Sequence, residues 1–346
     1  MPYTDIIEDL QDEQAVLLIG PEAMRLGDLS LVQHLYAHLW ARAGEEIVYY
    51  YERDGLFLFA NEEAKLRVQK QVKRQLRALS PDEAWLQQVI SLPFPLILSL
   101  TPDTFLRDAF EKQGKPAHFA YFRAGEQQED LPKGEKGKPL IYNLFGMAEE
   151  EESLVLDYED MFRLMQGILS TGLPTKLKAQ LKRATTYVFV GFDFEKWHTQ
   201  LLIRVLMSQS ERKAINKYAF TGDAATQSTR NFLMKAFKIS FTEGEKENET
   251  LLDSLQRHCE KAKLLRPIVT AYSQEQAQLL RQIYQGKIAS VLQILQEHQN
   301  AEKDEITLLS ARYNRLEEEK TRMDSRDYSV QWNQIVYALV EVIKGF

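Results

Sequence analysis

Four loops, each following a short apolar segment, hold the residues of this chain whose types could do chemistry. The apolar segments are Ala15–Ile19, Leu96–Leu100, Pro139–Leu144 and Tyr187–Val190. The loops after them begin with Gly20-Pro21-Glu22, Thr101-Pro102-Asp103, Phe145-Gly146 and Gly191-Phe192-Asp193. Apolar segments of this kind, separated by helical stretches, predict a parallel sheet covered by helices. Because such sheets bind ligands beyond the carboxyl ends of their strands, the four loops are expected to share one site.

The first loop is a poor candidate for binding phosphate. Dinucleotide folds place a glycine-rich turn here so that backbone N–H groups can approach the pyrophosphate. Pro21 has no N–H to donate. Glu22 would place its carboxylate beside the diphosphate, and two unit charges 4 Å apart repel by about 4 kcal/mol at an effective dielectric of 20. The alternative is a plain strand-to-helix turn in which Pro21 begins the helix and Glu22 favours its N-terminus.

The second and third loops offer limited catalytic chemistry. The Thr101 hydroxyl could hold a ribose hydroxyl or a water molecule. Asp103 could line a pocket, but an Asp that follows Pro and precedes an amphipathic segment is a good helix cap, and we favour that role. Phe145 cannot accept a proton, so its expected role is to fill the pocket with apolar surface. Gly146 is expected to allow a tight turn.

The fourth loop contains the remaining candidates. Gly191 allows a sharp exit from the strand, and Trp197 is expected to pack beneath the sheet. Asp193 and His198 are weak alternatives for a catalytic base, although His198 is expected to be a surface helix residue. His34 and His38 lie one helical turn apart, but they lack a third ligand, so no metal site is predicted.

The order of these four strand–loop units resembles the sirtuin-like (silent-information-regulator-like) fold, which consumes NAD in many bacterial defence proteins. In that family the first loop is glycine-rich, the second carries Asn before Tyr-Asp, and the third is His-Gly. The corresponding positions here are Pro21-Glu22, Thr101 and Phe145, so the resemblance implies the fold without the reactive groups. It also implies that a retained nucleotide pocket would be lined by seven residues. These are Gly20, Glu22, Asp103, Gly146, Gly191, Asp193 and Trp197.

The last part of the chain has a different character. Beyond Pro267 the pattern predicts three helices, near 275–298, 304–323 and 328–343, packed as an antiparallel bundle. The segments Gln285–Leu295, Asp304–Leu316 and Asn333–Leu339 resemble the eleventh class of effector-associated domain, a small helical adaptor. The resemblance implies that the adaptor binds a protein partner carrying a matching domain. The candidate contact residues are Arg312, Tyr313, Asn314 and Arg315, since Arg and Tyr are enriched at binding hot spots; alternatively, Tyr313 is core and both arginines are solvated.

Length and composition limit the remaining classes. The 346 residues predict an α/β domain over residues 1–264 and a helical domain over residues 272–346. A net charge of −7 argues against binding nucleic acid, and no apolar run is long enough to span a membrane. The N-terminus lacks the pattern of a secretory signal. A single cysteine, Cys259, excludes an internal disulfide and predicts a reducing, cytoplasmic location.

Taken together, the two resemblances imply a catalytically inactive scaffold or sensor in a bacterial anti-phage system, recruited through its adaptor. Two alternatives stay open. One is an NAD-hydrolysing effector in which Asp193 or His198 acts as the base and Thr101 positions water. The other is a receptor for a nucleotide-derived signal. In the favoured interpretation the protein requires no cofactor, although NAD or a derivative could bind. A homo-oligomer is compatible with this interpretation.

Overall fold

The computed structural model describes most of the chain. The described residues are 2–26, 28–42, 44–170, 172–208, 215–220, 226–242, 250–266, 278–279, 282–283, 287–297, 303–320 and 325–344. They form two compact units, mainly residues 1–268 and 269–346. Within the described residues, no helix combines the length and the apolar character that crossing a bilayer requires.

The first unit alternates strands and helices. Its strands are β1 (Ala15–Ile19), β2 (Arg25–Leu26), β3 (Leu29–Ser30), β4 (Ile47–Tyr51), β5 (Leu56–Phe59), β6 (Leu96–Ser99), β7 (His118–Tyr121), β8 (Leu140–Asn143), β9 (Thr186–Val190), β10 (Asn216–Phe220) and β11 (Ile239–Thr242). Its helices are α1 (Pro2–Gln11), α2 (Leu31–Arg42), α3 (Glu62–Ala78), α4 (Glu83–Ser91), α5 (Phe105–Lys112), α6 (Tyr158–Leu169), α7 (Thr175–Arg183), α8 (Trp197–Ser208), α9 (Gln227–Ala236) and α10 (Leu251–Lys261).

Seven of these strands form one parallel sheet. Their order across the sheet is β11-β10-β9-β1-β6-β8-β7, and every neighbouring pair is parallel. Strand β1 is buried along its whole length. Its residues alternate between the two apolar cores, with Leu17 on one face of the sheet and Val16 and Leu18 on the other. This burial on both faces explains why the central strands read as continuous apolar runs, and it confirms the predicted Rossmann-like α/β class.

Strand β10 lies inside the sheet, because β11 pairs with its outer side. One expectation about the first loop was wrong. Pro21 was expected to begin a helix, but a β2–β3 hairpin intervenes and the helix begins at Leu31. The side chains of Ser30 and Gln33 each accept a hydrogen bond from the other's backbone N–H, at 3.1 and 3.0 Å, and so cap that helix.

A buried guanidinium holds the last described segment of the first unit in place. Arg266 donates to the backbone carbonyls of Lys136 at 2.5 Å, Ile90 at 3.1 Å and Phe94. Its guanidinium also lies 5.3 Å from the centre of the Phe110 ring. Burial lowers the pKa of Arg266 to about 9, which leaves the side chain charged at neutral pH.

The second unit contains α11 (Ile288–Glu297), α12 (Lys303–Glu319) and α13 (Ser325–Lys344). Its core joins the three helices through buried residues such as Leu292, Leu309 and Leu339. The second and third predicted helices are therefore confirmed as α12 and α13. The first is found as α11, while much of its predicted N-terminal half lies outside the described residues.

Candidate functional site

The expected site lies where the chain changes direction across the sheet. From β1 the chain passes to β6 on one side, and it later crosses to β9 on the other side. The carboxyl ends of β1 and β9 therefore flank the switch point, where folds of this kind bind their ligands. The first loop leaves β1 after Ile19, which is in register with Val190, the last residue of β9. The first and fourth loops thus begin side by side.

These two loops are hydrogen-bonded to each other. The Gly20 N–H donates to the Val190 carbonyl at 2.8 Å, and the Glu22 N–H donates to the Gly191 carbonyl at 3.0 Å. The Ala23 N–H turns back to the Gly20 carbonyl at 3.2 Å. Since Pro21 has no N–H, every backbone donor from residue 20 to residue 23 has a partner within the protein. A pyrophosphate at this position would have to break these bonds.

Two glycines make this close approach sterically possible. A Cβ atom added at Gly20 would lie 2.2 Å from the Gly191 carbonyl oxygen. A Cβ atom added at Gly191 would lie 2.1 Å from the Ala23 nitrogen. Gly191 also has a φ of +68°, a conformation that is costly for residues with side chains. The predicted sharp exit at Gly191 is therefore present, and it serves to bring the two loops into contact.

Charge compensation accompanies this contact. The Lys196 Nζ atom lies 3.5 Å from a Glu22 carboxylate oxygen and 3.8 Å from a carboxylate oxygen of Asp193. The other Asp193 oxygen accepts a hydrogen bond from the Glu195 N–H at 3.0 Å. The Glu22 charge, expected to oppose a diphosphate, is thus paired with a lysine. Asp193 is held as a turn-forming residue within its own loop.

The β4–β5 hairpin lies against the fourth loop. His198 Nε2 is 2.9 Å from the Asp54 carbonyl oxygen, and the Tyr158 hydroxyl donates to the Asp54 carboxylate. His198 is buried, so its expected surface position was wrong; the hairpin, which the sequence pattern did not predict, contributes to covering it. Burial lowers the pKa of His198, and Lys196 lowers it further, while the bond to Asp54 opposes both. Because the Asp54 carbonyl oxygen can only accept, Nε2 donates this hydrogen bond, and only Nδ1 could accept a proton.

The second loop turns its polar groups inward. The Thr101 hydroxyl lies 2.9 Å from the Ser99 hydroxyl. One Asp103 carboxylate oxygen accepts a hydrogen bond from the Phe105 N–H at 3.0 Å, at the first residue of α5, in agreement with the favoured capping role. The Asn143 side chain donates to the Asp103 carbonyl at 2.7 Å. Burial raises the pKa of Asp103, against the opposing effect of its hydrogen bonds.

The third loop is apolar where a base would be needed. Phe145 is buried in the same apolar cluster as Leu100 and Leu144. Gly146 has a φ of +82°, and a Cβ atom there would lie 2.1 Å from the Ser153 carbonyl oxygen. The expected tight turn is therefore present, with an aromatic hydrocarbon immediately before it.

Trp197 does not pack beneath the sheet, contrary to expectation. It is the first residue of α8, it is partly exposed, and its ring stacks on Tyr158 with 6.3 Å between ring centres. The space beneath the sheet is filled by Phe189, Phe192 and Phe194, which are buried and in mutual contact.

Comparison with family models gives two matches. Residues 96–241 match the model of the SIR2-like domain, and residues 274–346 match that of effector-associated domain 11. Part of the first unit is therefore similar to a SIR2-like domain, and the second unit is similar to an effector-associated domain. This confirms the predicted fusion. The combination suggests a component of a conflict or defence system, and the second domain suggests protein–protein association within a multi-component system. A search of curated proteins found no match.

The SIR2-like unit also has a surface groove that the sequence did not reveal. The groove has a volume of about 410 Å³ and lies between α3, α6 and the loops that follow β7 and β8. On one wall, Lys65 Nζ lies 2.7 Å from Asp157 and 2.6 Å from Asp160. Burial lowers the pKa of Lys65, but its two carboxylate partners outweigh this effect and raise it overall. Separations of over ninety residues explain why no local pattern predicted this cluster.

In the effector-associated domain, three of the four candidate contact residues are exposed and one is half-buried. Arg312, Asn314 and Arg315 are exposed on α12, and Arg315 pairs with Glu319 at 3.0 Å. Tyr313 is half-buried against Trp332 of α13, with 6.1 Å between ring centres. Trp332 in turn stacks on Tyr328. Tyr313 thus helps to join α12 to α13, while Arg312 and Asn314 face outward.

Replacement of Gly191 by alanine tests whether the loop contact is a structural constraint. The alanine would have to adopt the positive φ of Gly191, and its Cβ atom would overlap with Ala23. Both effects should lower the free energy of unfolding, measured by urea denaturation, by about 3 kcal/mol or more. Gly137→Ala is the matched control, because a Cβ atom there would meet nothing within 4 Å. Its unfolding free energy should change by less than about 1 kcal/mol. Equal stability of the two variants would show that the loops are not held as described.

Proposed function

We propose that the SIR2-like domain is a catalytically inactive scaffold or sensor in a defence system, and that the effector-associated domain recruits it to a partner. The observation that carries the proposal is the pair of hydrogen bonds that tie the first loop to Val190, the last residue of β9, and to Gly191 in the fourth loop. They occupy the Gly20 and Glu22 N–H groups, which are the backbone donors that a pyrophosphate would need.

The reactive positions support the same proposal. Cleavage of the glycosidic bond of NAD needs a polar group to position water and a base to accept a proton. By the family resemblance, these positions are Thr101 and Phe145. The Thr101 hydroxyl is turned toward Ser99, and the Phe145 ring has no proton-accepting atom. On this proposal the protein requires no cofactor.

Relocated catalytic groups receive less support. Asp193 accepts a hydrogen bond from the Glu195 N–H and lies near Lys196, and His198 donates to the Asp54 carbonyl. Each candidate base thus already bonds a backbone group, which fixes the position of its side chain. The nucleotide-receptor alternative would need another pocket, and the groove beside α3 is lined by five carboxylates and three cations. That excess of negative charge disfavours a phosphate-bearing ligand.

The recruiting surface is assigned to the exposed part of α12. Arg312, Asn314 and Arg315 are exposed on α12, and Arg312 and Asn314 lie on either side of Arg315 around the helix, while Leu309 and Leu316 of the same helix are buried. A partner with a matching domain could contact the exposed residues without disturbing the core. We therefore propose Arg312 and Asn314 as the main contacts, with Arg315 beside them and Tyr313 as their support.

The proposal predicts no turnover of NAD. The purified full-length chain, alone or with its partner, should release no nicotinamide above the rate in buffer when monitored by chromatography. An active NAD hydrolase run in parallel confirms that the assay responds. Nicotinamide release that disappears in the Asp193→Ala or His198→Ala variant would contradict the proposal and support the relocated-base alternative.

The recruiting surface is tested separately. The double substitution Arg312→Ala with Asn314→Ala should weaken binding to a partner that carries an effector-associated domain by about thirty-fold, equivalent to about 2 kcal/mol, measured by calorimetry. Ser290→Ala, an exposed position on α11, is the control and should leave the dissociation constant unchanged. Unchanged binding by the double variant, with its thermal midpoint preserved, would place the interface elsewhere.

A further inference from the structure

Two neighbouring helices of the SIR2-like unit expose large apolar side chains to solvent. On α6, Phe162 is 54% exposed and Leu169 is 64% exposed. On α8, Trp197 is 36% exposed and Leu201 is 38% exposed. Spacings of seven residues and of four residues place each pair on one side of its helix. We call these four side chains the α6–α8 face.

The α6–α8 face is one continuous surface. The Trp197 ring lies 5.8 Å from the Phe162 ring, centre to centre, so the two helices meet at their N-terminal ends. Each helix already buries a different side in the core, through Leu164 and Ile168 on α6 and through Leu202 and Leu206 on α8. The exposed stripes are therefore additional to the apolar surface that the fold itself needs.

The size of the face fits the centre of a protein interface. Aromatic side chains offer about 150–250 Å² each, so the four partly exposed side chains present roughly 300 Å² of apolar surface. A stable interface buries about 800 Å² per partner, with an apolar centre and a polar rim. The polar residues beside the face on α6 can supply part of that rim.

The charges beside Phe162 indicate which partner fits. Glu159 and Arg163 bracket it, and both side chains are more than half exposed. Within one chain they lie 3.6 Å apart, an exposed pair that contributes little to stability. If two copies of α6 cross antiparallel near Phe162, Glu159 of each copy lies opposite Arg163 of the other. A two-fold axis between the copies repeats this Glu159–Arg163 contact, so the charges of the surface are complementary to those of a second copy.

We propose that the α6–α8 face forms a two-fold symmetric dimer interface with a second copy of this chain. The interface centres on Phe162, Trp197 and Leu201, and reciprocal Glu159–Arg163 pairs set its orientation. It covers the outer side of Trp197, whose ring stacks on Tyr158, and Tyr158 in turn holds Asp54 of the hairpin. This inference does not depend on whether the SIR2-like domain turns over NAD.

Sedimentation analysis of the full-length chain tests the dimer. Between about 1 and 100 µM, wild-type protein should shift from monomer toward dimer, and the double substitution Phe162→Glu with Leu201→Glu should weaken self-association at least about thirty-fold. Phe232→Glu is the matched control, because Phe232 is also half-exposed but lies on α9. It should leave self-association unchanged.

Charge reversal tests the geometry. Glu159→Arg alone and Arg163→Glu alone should each weaken self-association, and combining them should restore it. Three results would overturn the proposal: a wild-type monomer across the whole range, a dimer that survives the Phe162→Glu and Leu201→Glu changes, or equal loss in the Phe232→Glu control. Weakening by both single reversals without rescue by the double reversal would overturn the proposed two-fold orientation.

Discussion

The backbone contact between Gly20 and Gly191 is the constraint that closes the switch point of the first unit. Strands β1 and β9 are paired up to Ile19 and Val190, and the loops beyond them continue that pairing instead of separating. An open crevice at this point is what gives a parallel sheet its usual ligand site. Here the two loops bond to each other, and the absence of side chains at both glycines lets them approach closely enough to do so.

Three neighbouring arrangements accompany the contact between the two loops. Lys196 pairs with Glu22, so the acidic residue that would repel a diphosphate is compensated within the protein. The phenylalanines of the fourth loop fill the space beneath it. The β4–β5 hairpin adds a further layer through Asp54, which His198 and Tyr158 hold. Opening the crevice would disturb all three arrangements, so closure is distributed over several elements and does not depend on one bond.

The sequence allowed the sheet and its four loops to be predicted because their signals are local. Fully buried strands are short apolar runs, and β1, β6, β8 and β9 could be recognised in that way. The two hairpins could not, because β2 and β3 have two residues each and β4 is partly exposed. Because the β4–β5 hairpin was not predicted, His198 was expected at the surface. Its ring in fact bonds to Asp54 of that hairpin, 144 positions away. Trp197 was misplaced for a similar reason, since the space that it was expected to fill is occupied by Phe192 and Phe194.

A crystal structure of the protein grown in the presence of millimolar NAD would show directly whether the crevice between β1 and β9 can open. The bond from the Glu22 N–H to the Gly191 carbonyl should stay near 3.0 Å, and no dinucleotide should lie between β1 and β9. A dinucleotide bound in that crevice, with the first and fourth loops separated and the Gly20 and Glu22 N–H groups donating to its phosphates, would contradict the closed arrangement.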